Sequence, residues 1–276
     1  MPGAFHRIPI PPAELVPKAR AAVEKALALD NTLAEAHGSL ALLLVAYDGN
    51  LRESKREFER AIALNPNYAE AHFFLGFAVL TPLGDFDHAI AEIKRAIELD
   101  PFSVSINANF GLCYFFARRY PEAIAQSRKA AELDPSLPMP QIVLAAAHQF
   151  SGQREQAITE WQKAYELAQR AGIERGYADD LLAQSCLLKG ERAKALQLLD
   201  ELRALAQRGE IPAFRIAGIY VGLGDKNEAI EWLERSYQNK EFTLILDIKV
   251  HPGLDPLRGD SRFEALAQKV IPRDAK

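Results

Sequence analysis

The chain has 276 residues, of which 49% are apolar, 25% charged and 9% aromatic, enough core material to exclude disorder for want of it. Its 33 basic and 37 acidic residues leave a net charge of -4, so no bulk positive field recommends nucleic acid or an acidic membrane as a partner. The two cysteines, Cys113 and Cys186, are far apart in strongly helical sequence, which excludes a disulfide framework or a Cys-x-x-Cys site and predicts a reducing, cytoplasmic setting.

Residues 1–13 read as a leader. Pro2, Pro9, Pro11 and Pro12 interrupt any helix there, and no basic region precedes an apolar run, so a signal sequence is not indicated. Nowhere does an uncharged apolar stretch of about 18 residues occur, so no spanning helix and no membrane partner are expected.

From residue 14 onward the chain repeats. The run Ala89-Ile90 through Ala96-Ile97-Glu98-Leu99-Asp100-Pro101 returns 34 residues later as Ala123-Ile124 through Ala130-Ala131-Glu132-Leu133-Asp134-Pro135, and Ala157 and Ala164 continue it. Backward, Ala61 through Pro66 precedes its counterpart by 35 residues, and the half-unit Ala26 through Asp30 precedes that. Each unit carries a small residue after a large apolar one: Ala41, Gly76, Gly111, Ala145, Ala183 and Ala217. A second small residue follows at Ser54, Ala89, Ala123, Ala157, Ala195 and Ala229, usually with a large residue four places on, Ser127 being the exception. At helical spacing these positions share a face. A small side chain on each of two helices lets them approach closely while the large neighbours fill the flanks, so each unit predicts a helical hairpin leaning on the next.

Boundary signals agree. Thr32 with Glu35, Asn67 with Glu70 and Asp225 with Glu228 fit the capping pattern of a helix start; Asp100-Pro101 and Asp134-Pro135 end helices; Gly84, Gly152, Gly190 and Gly224 mark the turn inside a pair.

A 34-residue helix-turn-helix unit with Leu75-Gly76, Ala89, Ala96 and Pro101 resembles the tetratricopeptide repeat. The resemblance implies an all-α, right-handed α-solenoid: a partial repeat over 14–33, six repeats over 34–238, and a capping segment over 239–276. The tryptophan common at the fourth place of that repeat is replaced by His37, His72, Asn107, Gln141, Asp179 and Ala213. It further implies that first helices line a concave groove, whose middle would present Phe73, Phe77, Leu112, Phe115, Phe116, Ile142 and Phe150 to a peptide or partner domain. The same stripe also reads as packing shared between neighbouring first helices. Relatives that clamp a chaperone's carboxylates carry Lys and Asn at the fifth and ninth places; here these hold Gly38, Phe73, Ala108, Ile142, Asp180 and Phe214, then Leu42, Phe77, Leu112, Ala146, Gln184 and Gly218, so no carboxylate clamp is expected.

Near the C-terminus, Phe242 to Ile248 reads as a further helix or an extended packing segment, and Ser261 with Glu264 as the capping box of a lid helix bearing Phe263, Leu266, Ala267 and Val270. The block from His251-Pro252-Gly253-Leu254-Asp255-Pro256-Leu257-Arg258 to Phe263 resembles the closing segment of repeat domains attached to bacterial multidomain signalling proteins, which implies a regulatory arm of a transcription regulator, kinase or cyclase, or a self-association module, as the alternative function. His37 and His72 lack further ligands on their own helices, and His148 sits at a core position, so packing roles are expected. Gly222-Leu223-Gly224-Asp225-Lys226 lacks the ending of a phosphate loop, Arg258-Gly259-Asp260 is too short to mean adhesion, and no hydrolase, zincin or kinase motif occurs. A non-enzymatic scaffold without metal or cofactor is the expectation.

Overall fold

The computed structural model describes residues 12–173 and 175–275; the expected leader over 1–13 lies almost wholly outside them. Among the described residues there is no strand. The chain forms two compact units, one ending at Ile106 together with the residues from Arg273, the other spanning Asn107–Pro272.

In the first unit, α1 (Pro12–Leu29) packs on α2 (Ala34–Ala46), which forms a hairpin with α3 (Leu51–Leu64). The next pair joins α4 to α5 (Phe86–Leu99). Helix α4 starts at Ala69–Phe74, widens into a π-helix over Leu75–Leu80 and closes at Thr81–Leu83. The cause is local. Pro82 has no N–H to offer the carbonyl four residues back, and its ring crowds that carbonyl; the Thr81 amide and hydroxyl both turn to Gly76 O instead, the hydroxyl at 2.9 Å. The widened turn also accounts for the 35-residue step from Ala61 to Ala96. From Gly76 to Ala89 is 13 residues, against 12 from Gly111 to Ala123, and the π-helix absorbs the extra one without rotating either small residue off the interface: Ala89 and Ala96 remain fully buried.

In the second unit, α6 (Val104–Phe116, its first turn shared with the first unit) precedes α7 (Tyr120–Leu133). Three further pairs follow: α8 (Pro138–Phe150) with α9 (Arg154–Arg170), α10 (Arg175–Lys189) with α11 (Arg192–Gln207), and α12 (Ala213–Leu223) with α13 (Lys226–Gln238). The short α14 (Phe242–Asp247), a 3-10 turn (Pro252–Leu257) and α15 (Ser261–Val270) complete it. The segment from Phe242 is thus helical. Helix α15 packs on α13 and buries Phe263, Leu266, Ala267 and Val270, as a lid should.

The repeated small residues do what close packing requires. Ala41, Ser54, Ala123, Ala145, Ala157, Ala183, Ala195, Ala217 and Ala229 have no exposed surface. A methyl group at Gly111 would lie 2.4 Å from Ser127 Oγ, so the one place where the large flanking residue is missing is the place where the helices approach too closely for it. Left-handed glycines close the hairpins at Gly49, Gly84, Gly152, Gly190 and Gly224; after α6 the same role falls to Arg118, at φ 61°, a conformation that a non-glycine residue adopts at a cost.

The capping expectations hold in part. Asp225 accepts from the Glu228 amide at 3.1 Å. Thr32 and Asn67 do not cap: α2 and α4 begin after Leu33 and Tyr68, because the preceding Asp30 and Asn65 turn their side chains onto the amides of Thr32 and Asn67 (2.8 and 3.1 Å) and carry the chain one residue further. At α15 the cap is Asp260 rather than Ser261, accepting from the Arg262 amide at 3.0 Å, with the Asp260 carboxyl held down to about 2 chiefly by its hydrogen bond to the Arg262 side chain.

At three of the six places the missing tryptophan is replaced by a polar residue that bonds to the second helix of its pair. His37 Nδ1 meets Glu57 Oε2 at 2.6 Å and its Nε2 meets Asn31 O at 3.0 Å; His72 repeats this with Glu92 and Pro66 O at 2.5 and 3.1 Å. In the second unit Asn107 accepts from Gln126 at 2.9 Å. Each is a polar rung between the two helices of a pair, and each histidine also ties down the turn before its own helix. The carboxylates were invisible on the histidines' own helices because they sit on the second helix. His72 is 7% exposed, so His72→Ala strands a carboxylate and a carbonyl together and should cost about 1–3 kcal/mol by urea unfolding, whereas His88→Ala, a partner of exposed Asp85, should cost less than about 0.5 kcal/mol.

Candidate interaction surface

The seven expected groove residues divide by burial. In the first unit Phe73 and Phe77 are buried, with parallel rings 5.6 Å apart, and Phe74 stacks on Phe58 at 6.3 Å. In the second unit Phe115 and Phe116 are 1% and 2% exposed, while Leu112, Ile142 and Phe150 are part-exposed. The expectation of an open apolar surface is therefore not met at Phe73, Phe77, Phe115 and Phe116. Side chains of this size on adjacent turns find partners within the array sooner than they find solvent, which is the shared-packing reading of the stripe.

What covers the rings of the second unit is the chain itself. The His251 imidazole sits edge-on to Phe115 at 5.5 Å and to Phe116 at 5.7 Å, with Phe214 at 6.3 Å; Phe150 packs on Phe115 at 5.7 Å. A methyl at Gly253 would lie 2.9 Å from the imidazole and 3.7 Å from Phe150, so glycine lets the turn lie flat against them. His251 Nδ1 accepts the Gly253 amide at 2.9 Å and so caps the 3-10 turn. Arg118 donates to Asp255 at 2.8 Å across 137 residues of sequence, and Arg258 reaches the same carboxylate at 2.8 Å and Lys249 O at 2.7 Å. Val250, Pro252, Leu254 and Leu257 are buried beneath.

The segment from Glu241 to Leu257, a strap across these rings, is anchored at its start by Glu241, whose carboxylate accepts the first amides of α12 from Ala213 and Phe214 (2.8 and 3.1 Å) and the Ser236 hydroxyl at 2.6 Å. A carboxylate at a helix N-terminus satisfies donors that α12 cannot satisfy itself. Farther in, Arg215 pairs with Asp180 at 2.6 Å and lies over the Tyr177 ring at 3.9 Å; Asp180 is buried and its second oxygen has no hydrogen-bond partner. Burial pushes the Asp247 carboxyl up to about 8, against the pull of Arg215. Burial likewise pushes His251 down to about 4, with the charges of Arg118 and Arg258 adding and Asp255 opposing.

Sequence reasoning located the ring stripe but not Arg118, Phe214, His251 and Asp255. A signal existed for one of them: Arg118 breaks the glycine series of the hairpin turns. Cys113 and Cys186 are buried, and the Cys186 thiol is pushed up by burial. Among the described residues no three metal-ligating side chains converge, and no helix is long and apolar enough to cross a membrane.

Comparison with known proteins agrees with this architecture. The tetratricopeptide repeat pattern matches residues 43–81, 83–138 and 213–241. Among solved structures, the chain is similar to one chain of the APC/C hetero-tetramer Cut9-Hcn1, with a TM-score of 0.63 and 14% identity over 94% of this chain and 46% of that one, so it spans about half the length of that relative. PilW, a widely conserved type IV pilus biogenesis factor, gives a TM-score of 0.60 at 20% identity, covering 70% of this chain and 86% of its own. A tetratricopeptide repeat protein from Parabacteroides merdae gives 0.61 at 13%, covering 84% and 93%. Identities this low speak to the fold alone. No curated protein matches the sequence significantly.

Proposed function

Because the chain is a tetratricopeptide-repeat protein, an all-α solenoid of helical hairpins with a C-terminal capping helix, we propose that it is a non-enzymatic scaffold that grips a peptide or partner domain on the first-helix face of its repeats. We read residues 34–238 as six repeats, after a partial repeat over 14–33 and before a capping segment over 239–276. One observation carries the functional reading: in the second unit that face already holds a length of peptide chain, the turn from His251 to Leu257, among rings from α6, α8 and α12. A surface of aromatic rings that accepts an irregular segment is the chemistry of peptide recognition. Leu112, Ile142 and Phe150 are the part-exposed members through which a ligand first makes contact, with Phe115 and Phe116 behind them. The regulatory-arm alternative rests on the His251–Phe263 block, and an in-frame signalling domain encoded beside this one would favour it.

A photo-crosslinking residue placed at Leu112 or Ile142 should yield adducts with a discrete partner in extracts of the source cells, and at least about tenfold fewer adducts when placed at exposed Lys129 on the second helix of its pair. Equal yields at the three positions would sink the assignment of the face.

A further inference from the structure

We propose that the pocket made by Phe115, Phe116, Phe150 and Phe214 with Arg118 is a peptide-binding site whose resident occupant is the chain's own His251–Asp255 turn. Its external ligand is then a peptide that repeats that pattern: an uncharged imidazole or aromatic ring, a proline directly after it, and a carboxylate four places on. The inference deepens the scaffold reading and rests on it.

Three independent features point this way. First, the occupant is held by contacts of a ligand kind, not by continuation of the repeat: a 3-10 turn stands where a helix of the next hairpin would, and its ring enters a cage of aromatic edges from helices far away in sequence. Second, two non-glycine residues among those described take the left-handed conformation, Lys240 after α13 and Arg118 after α6, and of these it is Arg118, inside a repeat hairpin, whose guanidinium reaches the occupant's carboxylate. Backbone strain retained at one turn of a series marks a position kept for its side chain. The Arg118–Asp255 pair is substantially exposed, 36% and 47% at the side chains, so it contributes little energy and chiefly sets orientation and specificity. Third, the seated turn is a discrete, bounded part of the strap. Between the Glu241 cap and α15, it is fixed by the cage, four buried side chains and the two arginines on Asp255, and a tethered segment at millimolar effective concentration masks its own site from any weaker ligand.

The test uses the full chain and a labelled synthetic peptide of residues 248–258. His251→Ser keeps an oxygen for the Gly253 amide but withdraws the ring from its cage; His251→Asn serves if serine proves unstable. Hydrogen exchange over Val250–Leu257 should accelerate at least tenfold in the variant, and fluorescence anisotropy should show it binding the peptide at least tenfold more tightly than the intact chain does. Adding Arg118→Gly, which suits the left-handed turn, should weaken that binding several-fold, yet leave unchanged the binding of a peptide carrying Asn in place of Asp255. Unchanged exchange, a folded variant that ignores the peptide, equal binding by the intact chain, unfolding of both His251 variants, or dimers that exchange straps would each overturn the proposal. Such a failure leaves the wider scaffold reading standing, since that reading is decided by the crosslinks at Leu112 and Ile142.

Discussion

Replacing Trp232 by alanine should destabilise the second unit by about 3–5 kcal/mol, whereas Trp232→Phe should cost only about 1 kcal/mol. The indole is 1% exposed and fills the second-helix position that carries Glu57, Glu92 and Gln126 in earlier pairs. Opposite it, the fourth place of the first helix is Ala213, itself 1% exposed. In the last pair, then, the polar rung is exchanged for bulk, and the tryptophan absent from the first helix stands on the second. Alanine there leaves a cavity between two alanine-sized positions that the helices cannot close without breaking the packing at Ala217 and Ala229. Phenylalanine retains most of the volume and removes an indole N–H that has no hydrogen-bond partner, a buried donor whose loss carries no penalty. Arg235, 4.4 Å above the ring, keeps an aromatic face in either case. Urea midpoints of the two variants within about 1 kcal/mol of each other would show that the position is not the core of its pair.

The second large effect is on pH dependence, and below about pH 6.5 it becomes visible only when one of two groups is removed. His251 is held near 4 against an ordinary 6.5. The folded state therefore keeps it neutral while the unfolded chain takes up a proton, and its contribution to stability is lost as pH falls from about 6.5 to about 4. Asp247 is held near 8 against 3.8, so the folded state keeps its proton while the unfolded chain releases it. That contribution is complete at low pH and is lost as pH rises from about 4 to about 8. Between about pH 4 and 6.5 the unfolded chain gains one proton at the histidine and lacks one at the aspartate, and the two slopes cancel. The intact second unit should show little pH dependence from this pair there, then lose stability above pH 6.5.

Asp247→Asn should unmask the histidine, giving stability that climbs from pH 4 to 6.5; His251→Asn should unmask the aspartate, giving stability that declines over the whole interval. Each slope is at most about 1.4 kcal/mol per pH unit and less in practice, since both side chains retain some contact with solvent. The groups that face them are Arg118, Arg258 and Asp255 around the histidine and Arg215 beside Asp247. Parallel pH profiles for the intact chain and both variants, by urea unfolding at half-unit steps, would rule the coupling out.

How much of this was legible beforehand follows from the range of each signal. The hairpins were readable because their determinants lie within a few residues of one another: small residues at Gly76 and Ala89, prolines after Asp100 and Asp134, glycines at the turns. The helix starts at Leu33 and Tyr68 were misread by a residue because Asp30 and Asn65 compete for the same amides that Thr32 and Asn67 would have left for the helix. The polar rungs needed the pairing of helices before their partners, some 20 residues on, could be seen. The aromatic stripe was found but its exposure was not, because what covers Phe115 and Phe116 comes from the far end of the chain, and nothing periodic in the sequence announces that His251 lies against them. Local chemistry leaves a pattern in sequence; a single long-range contact such as Arg118 with Asp255 leaves only an exception, here an arginine where glycine would serve.

The widened turn in α4 shows how such an array tolerates errors of length. One surplus residue between Gly76 and Ala89 has been taken up as a local swelling of the helix, on a stretch where every side chain from Leu75 to Leu80 is buried, and the partners on either side keep their seats. A tandem architecture with slack of this kind can drift in the length of its units without losing phase, so counting residues is a poorer guide to where one unit ends than asking which small side chains meet.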